Sequence, residues 1–488
     1  MGRGWAETLP YTPEAAPQTV GDRSITLSAR MLTASPARPP SILRLAAPLV
    51  ISFWMRAGFT LVDTVFASRL GDAAVAAIGL AVPFEFLMIA VWAGLSTGLT
   101  SSMSRSMGAR EGAKIEQYVG AAWRMVAGVV ALFVAVGVGI RLFAPRLPVE
   151  ADVARDFAVY GSVLIGGNAL TSLWSIVPDS IVKAHQDTRA TMYAGIISEV
   201  IGVVLNVLFM FVLHLGIFGI ALSDVIGKLG GLAYAMRVSR RLEAARRLAD
   251  TGPERSARDP APYRAILALA VPTSLTFALM AFESGIVNAV LGSFPDAKEA
   301  IAAYSIYFRV SMFSIQPILA IGVAMLPFVA RLFGAGDLAA VRRGLREAGS
   351  AAAVYAIFVV GAAMLTAGPW LAGRLAESPV TARYAAFALR LVPLACLAGT
   401  PFILCRPVFE GLRRGMPGLV MAIVRYLVLT APAAWLAIRI ARDVGEPPIF
   451  GLLPALVGVA LACSVIFALW TRGTLAGLER AQAAGAGS

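Results

Sequence analysis

The sequence contains few charged residues for its length. Only 15% of its 488 residues are Asp, Glu, Lys or Arg, whereas 58% are hydrophobic and the mean hydropathy is +0.75. A soluble protein carries about 25% charged and about 45–50% apolar residues. This composition excludes a chain of soluble domains and indicates an integral membrane protein with many spans.

Histidine and cysteine are also scarce. The two histidines, His185 and His214, are far apart in sequence, and the three cysteines, Cys396, Cys405 and Cys463, form no CxxC motif. We therefore expect neither a metal site built from these residues nor a disulfide framework. No GxxxxGK[ST] loop occurs and no nucleophile stands beside a candidate base, so we expect a protein that is not an enzyme and holds no cofactor.

The net charge of +13 comes from basic residues that lie between the apolar runs. Nucleic-acid binding needs a basic face, which this distribution does not provide, so we expect no nucleic-acid partner. Basic residues at the ends of membrane spans contact anionic lipid headgroups and set the orientation of the chain. The lipid bilayer is therefore the first partner that the sequence predicts.

Apolar windows of bilayer length predict an all-α integral membrane protein with about twelve transmembrane helices. Short breaks rich in Gly, Pro and Asp separate the windows, and one long basic break lies near the middle of the chain. The predicted spans are 42–68, 73–104, 118–143, 155–180, 190–213, 216–238, 264–292, 300–333, 348–373, 384–409, 416–438 and 449–471.

The breaks divide the chain into a leader, two lobes, a linker and a tail. The leader, residues 1–40, lacks the apolar core of a signal peptide and is expected to be disordered, with Met31 as an alternative start. We expect the N-lobe at 41–238, the linker at 239–263, the C-lobe at 264–472 and the tail at 473–488.

Basic residues are distributed unequally between the two sides of the predicted bundle. About 19 of them border the breaks on the side of the termini, and about 9 border the breaks on the other side. The positive-inside rule then predicts that the leader, the linker and the tail are cytoplasmic. We expect a multi-pass protein of the cytoplasmic, or inner, cell membrane.

The two halves of the chain resemble each other. ILRLAAP (42–48) aligns with ILALAVP (266–272), and SRSMGARE (104–111) aligns with ARLFGAGD (330–337). Two further patches, VAAIG with IAAYS and AHQDTRATMYAGII with GLRRGMPGLVMAIV, keep the same offset of about 225 residues. Because six spans per half is an even number, we predict two six-helix lobes related by a parallel pseudo-two-fold axis.

A set of motifs runs through both halves of the chain, namely VDTVFASRLGD (62–72), AAIGLAVP (76–83), the VKAHQDTR turn and, in the second half, AVPTSLTFALMAFESG (270–285). These motifs resemble the multidrug and toxic compound extrusion (MATE) family, which shares a superfamily with the lipid-linked oligosaccharide flippases. The resemblance covers about residues 40–470. It implies a secondary transporter whose halves rock around a central site near the membrane midplane.

Asp63 interrupts an otherwise apolar first span. An ionised carboxylate inside a bilayer is costly unless it faces a cavity or a partner. Two interpretations remain open, namely a structural ion pair with another helix or an acid that takes up and releases a coupling proton. The resemblance implies the second, because one branch of the family carries an essential acid at this place in the first span.

Glu199, Asn206 and Asp224 complete the ion-coupling site predicted in the N-lobe. Glu199 and Asn206 share one face of span 5, and Asn206 matches the family's asparagine there. The family often has aspartate where this chain has Met210, so Asp224 in span 6 is the candidate replacement. Alternatively, Lys228 four residues later only neutralises Asp224.

Four residues are candidates for the substrate cavity or for an ion site in the C-lobe. Glu85 lies near the start of span 2, where it either lines the cavity or is solvated. Glu283 in span 7 matches the glutamate of sodium-coupled members, but span 10 offers no mid-span aspartate. Arg309 and Arg390 are candidate ion-pair partners of Glu283, and several arginines facing one cavity would favour an anionic substrate.

Two functions therefore remain open. The first is a monomeric antiporter that exports organic cations or drugs in exchange for protons, or for Na⁺ bound at Asp63, Asn206 and Asp224. The second is a flippase for an anionic lipid-linked precursor, which predicts a positive cavity on both lobes. Both functions require a small-molecule or lipid substrate and no metal cofactor.

Overall fold

A computed structural model of the chain describes residues 41–68, 70–249, 258–292, 297–376 and 378–486. The predicted leader and part of the predicted linker lie outside these ranges. The same is true of the Asp63 side chain, although the backbone at that position is helical.

The described residues form twelve long helices, several of them interrupted by a π-helical turn, with no β-strand among them. A short helix, Gly368–Leu375, connects the ninth helix to the tenth. The long helices are α1 (Ile42–Ser68), α2 (Asp72–Gly108), α3 (Gly112–Phe143), α4 (Ala151–Asn168, π-helical Ala169–Leu173 and Ile176–Ala184), α5 (Thr188–Val207 and π-helical Leu208–Val212), α6 (Gly216–Ala249), α7 (Pro262–Leu291), α8 (Ala297–Gly334), α9 (Leu338–Val354, π-helical Tyr355–Val360 and Gly361–Thr366), α10 (Pro379–Arg390 and Val392–Gly411), α11 (Met416–Ala422, π-helical Ile423–Leu429 and Thr430–Asp443) and α12 (Pro448–Ala486).

These helices follow the predicted spans closely. Ten of them, α2, α3 and α5 to α12, contain a stretch of described residues long and apolar enough to cross a membrane. Helix α1 has 27 residues, and the π-helical turn divides α4 into shorter segments. The all-α membrane architecture predicted from the sequence is confirmed. We call the end of the bundle where α1 begins and α12 ends the termini end, and the opposite end the far end.

Two helices continue beyond their predicted spans. Helix α6 reaches Ala249, and its extension is held by Glu243, whose Oε1 lies 2.9 Å from Nε2 of His185. Helix α12 reaches Ala486, and its Gln482 donates a 2.7 Å hydrogen bond to the Gly336 carbonyl. Polar contacts with neighbouring helix ends stabilise both extensions, and such contacts leave no trace in a hydropathy profile.

The turns repeat between the two halves. Arg110 and Gly336, which the sequence alignment pairs, both have left-handed backbone, with φ of 59° and 80°. Gln186 and Arg413, also paired, have φ of 61° and 60°. A left-handed residue is uncommon outside glycine, so its recurrence at equivalent helix ends supports the internal duplication.

Each lobe receives the beginning of one helix from the other lobe. Ile42 and Leu49 of α1 are buried in the hydrophobic core of the C-lobe. In the same way, Ile266 and Ala270 of α7 are buried in the hydrophobic core of the N-lobe. The two lobes therefore share their cores at the termini end.

The closest approach between the lobes joins two equivalent glycines to two equivalent arginines. A Cβ atom at Gly108 would lie 2.0 Å from the Arg331 carbonyl oxygen, and one at Gly334 would lie 2.1 Å from the Arg105 carbonyl oxygen. The alignment pairs Arg105 with Arg331 and Gly108 with Gly334, so this contact is reciprocal. The pseudo-two-fold axis passes between these helix ends.

Exposure along α2 and α8 changes near the middle of the bundle. No residue in 90–109 or in 314–334 is exposed, whereas exposed positions recur through 75–89 and 302–313. Across the middle, Trp54 of α1 stacks on Phe313 of α8 with ring centroids 6.5 Å apart. The bundle is thus closed at the termini end and opens toward the far end.

Gly108→Ala and Gly334→Ala are expected to destabilise this closed end. Each added methyl group must displace a backbone carbonyl, and overpacking of this kind costs about 1–3 kcal/mol. Thermal unfolding of the purified protein in detergent measures the effect.

Gly120→Ala and Gly349→Ala are the matched controls, because a Cβ atom at either helical position meets nothing within 4 Å. They should be neutral or slightly stabilising, since alanine favours the helix by about 0.5–1 kcal/mol over glycine. Equal stability of Gly334→Ala and Gly349→Ala would contradict the tight contact.

Candidate functional site

Asp224 is the centre of a polar group inside the N-lobe. Its Oδ2 accepts a 2.9 Å hydrogen bond from Nδ2 of Asn168 and a 2.8 Å bond from Nζ of Lys228. Asn168 lies immediately before the π-helical turn of α4, where the backbone widens and turns the side chain toward α6. Lys228 therefore pairs with Asp224, as the second interpretation of the sequence expects, and Asn168 is an additional partner of the same carboxylate.

Glu85 of α2 faces the same group. Its carboxylate is half-buried and interacts electrostatically with both Lys228 and Asp224. Glu85 lies thirteen residues into α2, about 20 Å from the far end at 1.5 Å per residue. The group therefore lies near the middle of the bundle and joins α2, α4 and α6. Two carboxylates and one ammonium leave it with one unbalanced negative charge when both acids are ionised.

Asn206 and Glu199 lie on α5, which packs tightly along α6. A Cβ atom at Gly227 of α6 would approach the Cα of Gly202 to 2.9 Å, so glycines set the spacing of these helices. Asn206, one turn beyond Gly202, is only 2% exposed, and Glu199 is half-buried. Helix α1, which carries Asp63, packs against α5.

Glu283 belongs to a second polar group, in the C-lobe. Its Oε1 accepts a 3.2 Å hydrogen bond from the Thr430 hydroxyl and interacts electrostatically with Arg425. The Arg425 guanidinium lies over the rings of Phe402 and Tyr426, 5.6 and 4.8 Å from their centroids. Arg425 lies in the π-helical segment of α11, directly before the segment that begins with Thr430. Aromatic faces and one carboxylate thus hold a single arginine inside this lobe.

Arg309 and Arg390 lie apart from this group. Both side chains are exposed, Arg309 in the far half of α8 and Arg390 at the break of α10. Neither forms an ion pair with a carboxylate in the described ranges. Arg425, rather than Arg309 or Arg390, is the cation beside Glu283.

A further pair lies in the C-lobe near the termini end. Glu410 is 3% exposed, accepts a 2.8 Å hydrogen bond from the Thr273 hydroxyl, and lies 3.7 Å from Arg406. The Arg406 guanidinium lies over the Phe277 ring, 4.9 Å from its centroid. The spacing of four residues between Arg406 and Glu410 is the sequence signal that could have identified this pair.

The N-lobe also contains an ion pair that was not predicted from the sequence. Asp179 and Lys183 of α4 lie 2.5 Å apart with little exposed side chain, and the Lys183 ammonium lies 4.8 Å from the Trp92 ring centroid. Their i, i+4 spacing in the sequence would have predicted this pair. The sequence predicts a turn at Lys183, whereas the helix continues to Ala184. In the described part of the chain, no three His, Cys, Asp or Glu side chains are grouped as a metal would require.

The chain matches the MatE family model twice, over residues 48–208 and 272–436. The two matched segments begin at equivalent positions of the internal repeat. Together they cover more than half of the chain, and the chain belongs to the MATE family of transporters.

Known proteins agree with this assignment. The chain is 22% identical to the FAD transporter of Shewanella oneidensis over 411 residues, which cover 80% of this chain and 86% of that protein. It is 24% identical to the probable multidrug resistance protein YoeA of Bacillus subtilis over 305 residues, 61% of this chain and 65% of that one. Its fold matches an outward-facing MATE transporter of the MOP superfamily at 22% identity and a TM-score of 0.78, covering 93% and 98% of the two chains.

Glu283→Gln is expected to lower stability by about 1–3 kcal/mol, because Arg425 would lose the carboxylate that lies beside it in the C-lobe. The double variant with Arg425→Gln should lose less than the sum of the two single changes, because the removal of both charges leaves neither unpaired. Thermal unfolding of the four proteins completes the cycle. Glu446→Gln, at an exposed C-lobe position, is the control. Strict additivity would contradict the pairing.

Proposed function

We propose that the chain is a proton-coupled antiporter that exports organic cations by alternating access. The observation that carries the proposal is the N-lobe group of Glu85, Asp224 and Lys228, with its one unbalanced negative charge. Either a proton or a cationic substrate can neutralise that charge, but not both at once. Competition for one charge is the simplest physical basis for obligatory exchange.

The residues of the group have separate roles in this proposal. Asp224 exchanges the proton, while Asn168 and Lys228 hold its carboxylate in position through the hydrogen bonds described above. Glu85 supplies the second negative charge from α2, the helix that packs against the C-lobe. Asp63, Asn206 and Glu199 also take part in ion coupling in this proposal, and Na⁺ is the alternative coupling ion at Asp63, Asn206 and Asp224.

Protonation has to favour one arrangement of the lobes over the other. A ligand shifts a conformational equilibrium only through its different affinity for the two states. Proton uptake in the open arrangement would release the substrate, and proton loss in the reversed arrangement would restore the charge that binds the next one. The distribution of Lys and Arg supports cytoplasmic termini, so the far end would face outward, in the cell membrane, with the chain acting as a monomer.

A second candidate is the export of an anionic molecule. The favouring observation is the C-lobe, where Arg406 and Arg425 both lie against aromatic faces at distances suited to a flat ring. The Shewanella relative is an FAD transporter. A lipid-linked anionic precursor is the alternative substrate for this candidate. Against this candidate, each arginine has a glutamate beside it, and the N-lobe group is acidic.

The Asp224→Asn variant is expected to lose most proton-driven transport, at least tenfold in rate if one charge-assisted contact is lost at about 1.4 kcal/mol. The measurement is efflux of a cationic dye from proteoliposomes, with a proton gradient and a sodium gradient imposed separately. Asp63→Asn should behave in the same way. Glu150→Gln, an exposed acid at the far end, is the control and should transport normally.

Undiminished proton-driven efflux by both Asp224→Asn and Asp63→Asn would sink the proposed coupling site. Efflux driven only by the sodium gradient would replace the proton with Na⁺ as the coupling ion.

The second candidate is tested with a flavin nucleotide in place of the dye. If the substrate is anionic, wild type should transport the nucleotide, and Arg425→Gln should lose most of that activity while still folding. Transport of the dye with no transport of the nucleotide would exclude export of this flavin anion and favour the organic cation.

A further inference from the structure

A polar cavity of about 150 Å³ lies between the lobes at the termini end. Ser102, Arg105 and Lys114 line it from the N-lobe, Phe333 and Arg413 line it from the C-lobe, and Asp259 lines it from the segment that precedes α7. At about 30 Å³ per water molecule, the volume would hold about five waters. It is therefore large enough for a tetrahedral oxyanion, and it lies far from the polar groups at mid-bundle.

The acidic side chains of this cavity already have partners. Glu111 accepts a 2.7 Å bond from Lys114. Asp259 accepts a 2.6 Å bond from the Tyr118 hydroxyl, and Gln117 holds the backbone of Asp259 through two further hydrogen bonds. The Tyr118 bond helps to keep the pKa of Asp259 below its usual value, so this carboxylate remains ionised at physiological pH.

The two arginines of the cavity interact with these carboxylates only at longer range, Arg105 with Glu111 and Arg413 with Asp259. Arg105 lies over the Phe333 ring, 5.1 Å from its centroid, and interacts electrostatically with Arg413 from the other lobe. Neither arginine forms an ion pair with a carboxylate of the described residues. Three basic and two acidic side chains line the cavity, which leaves one positive charge unbalanced, and a bound anion would neutralise it.

The Ser102 hydroxyl is a second, independent sign of a ligand. Ser102 is 2% exposed and lines the cavity, yet its Oγ has no hydrogen-bond partner among the described residues. Buried polar atoms are rarely left unsatisfied, because each costs about 1–3 kcal/mol. A ligand with acceptor oxygens would satisfy this donor and both guanidinium groups together.

We propose that this cavity binds a phosphate group, bridged by Arg105 of the N-lobe and Arg413 of the C-lobe and accepting a hydrogen bond from Ser102. Guanidinium groups recognise the oxygens of phosphate in a bidentate manner. Because its two arginines belong to different lobes, the site exists only while the termini end is closed. A bound phosphate therefore stabilises the arrangement that opens toward the far end and slows the return to the reversed arrangement.

The test is saturation binding of radiolabelled inorganic phosphate to the full chain in a neutral detergent. Wild type should bind about one phosphate per chain. Arg105→Gln and Arg413→Gln should each weaken binding at least about tenfold, the equivalent of one charge-assisted hydrogen bond. Arg413→Lys, which keeps the charge but not the bidentate geometry, should fall between Arg413→Gln and wild type.

Arg414→Gln is the matched control, since Arg414 is the exposed neighbour of Arg413 and does not line the cavity. It should bind phosphate as wild type does. Thermal unfolding without phosphate verifies that each variant is folded. Added phosphate should raise the unfolding temperature of wild type and Arg414→Gln fully, that of Arg413→Lys less, and those of Arg105→Gln and Arg413→Gln least.

The phosphate group could belong to a lipid headgroup rather than to a soluble anion, and a second arm separates the two. The chain is placed in nanodiscs of phosphatidylcholine with or without phosphatidylglycerol. A lipid source predicts that phosphatidylglycerol raises the unfolding temperature of wild type but not of Arg413→Gln. Free phosphate that binds in detergent indicates a soluble source. The proposal is overturned if neither phosphate binding in detergent nor the effect of phosphatidylglycerol on the unfolding temperature depends on Arg105 and Arg413.

Discussion

The reciprocal contact of two glycines with two arginine carbonyls is the constraint on which the rest of the molecule depends. Gly108 and Gly334 let the ends of α2 and α8 approach so closely that even one added carbon would collide with backbone. Backbone atoms rather than side chains are in contact there, so in this arrangement they set the spacing of the two helix ends. This contact places the beginnings of α1 and α7 in the opposite cores and closes one end of the bundle. Beyond that closure, toward the far end, α2 and α8 carry exposed positions.

The lobes are alike in backbone but different in charge. The N-lobe joins two carboxylates to one ammonium, whereas the C-lobe holds arginines against aromatic rings, each beside a glutamate. A duplicated fold thus presents a negative group on one side of its axis and balanced groups on the other. This asymmetry supports ion coupling in the N-lobe and a different role for the C-lobe.

The sequence predicted the fold well, because hydropathy and short turns determine a helical membrane bundle almost completely. Spans such as α5 and α7 were placed within a few residues, and the repeat was visible in four short patches. Polar extensions were missed, as at Glu243 and Gln482, because the contacts that hold them are tertiary. The close approach at Gly108 was equally beyond the sequence, since a glycine at a helix end usually only ends the helix.

The candidate site was less predictable. The pair Asp224–Lys228 and the missed pair Asp179–Lys183 follow from spacing along one helix. The partners that come from other helices, Asn168 for Asp224 and Arg425 for Glu283, do not, because helix rotation decides them. Arg309 and Arg390 illustrate the same limit, since an arginine in an apolar span can face a cavity, lipid or the outer rim of the bundle. The proposed roles of Asp63, Asn206 and Glu199 rest on the family resemblance together with their helices.

The central claim is that the lobes exchange which end is closed, and that protons control the exchange. Its most direct measurement uses two distances between spin labels, each from the N-lobe to the C-lobe. One distance joins Leu248 and Met416 at the termini end, and the other joins Val149 and Val444 at the far end. All four positions are exposed. The three native cysteines are buried, so labels would attach to introduced cysteines. A change of pH should lengthen one distance and shorten the other in the same population, and Asp224→Asn should abolish the pH response. Distances that change independently, or a pH response that survives in Asp224→Asn, would contradict the account.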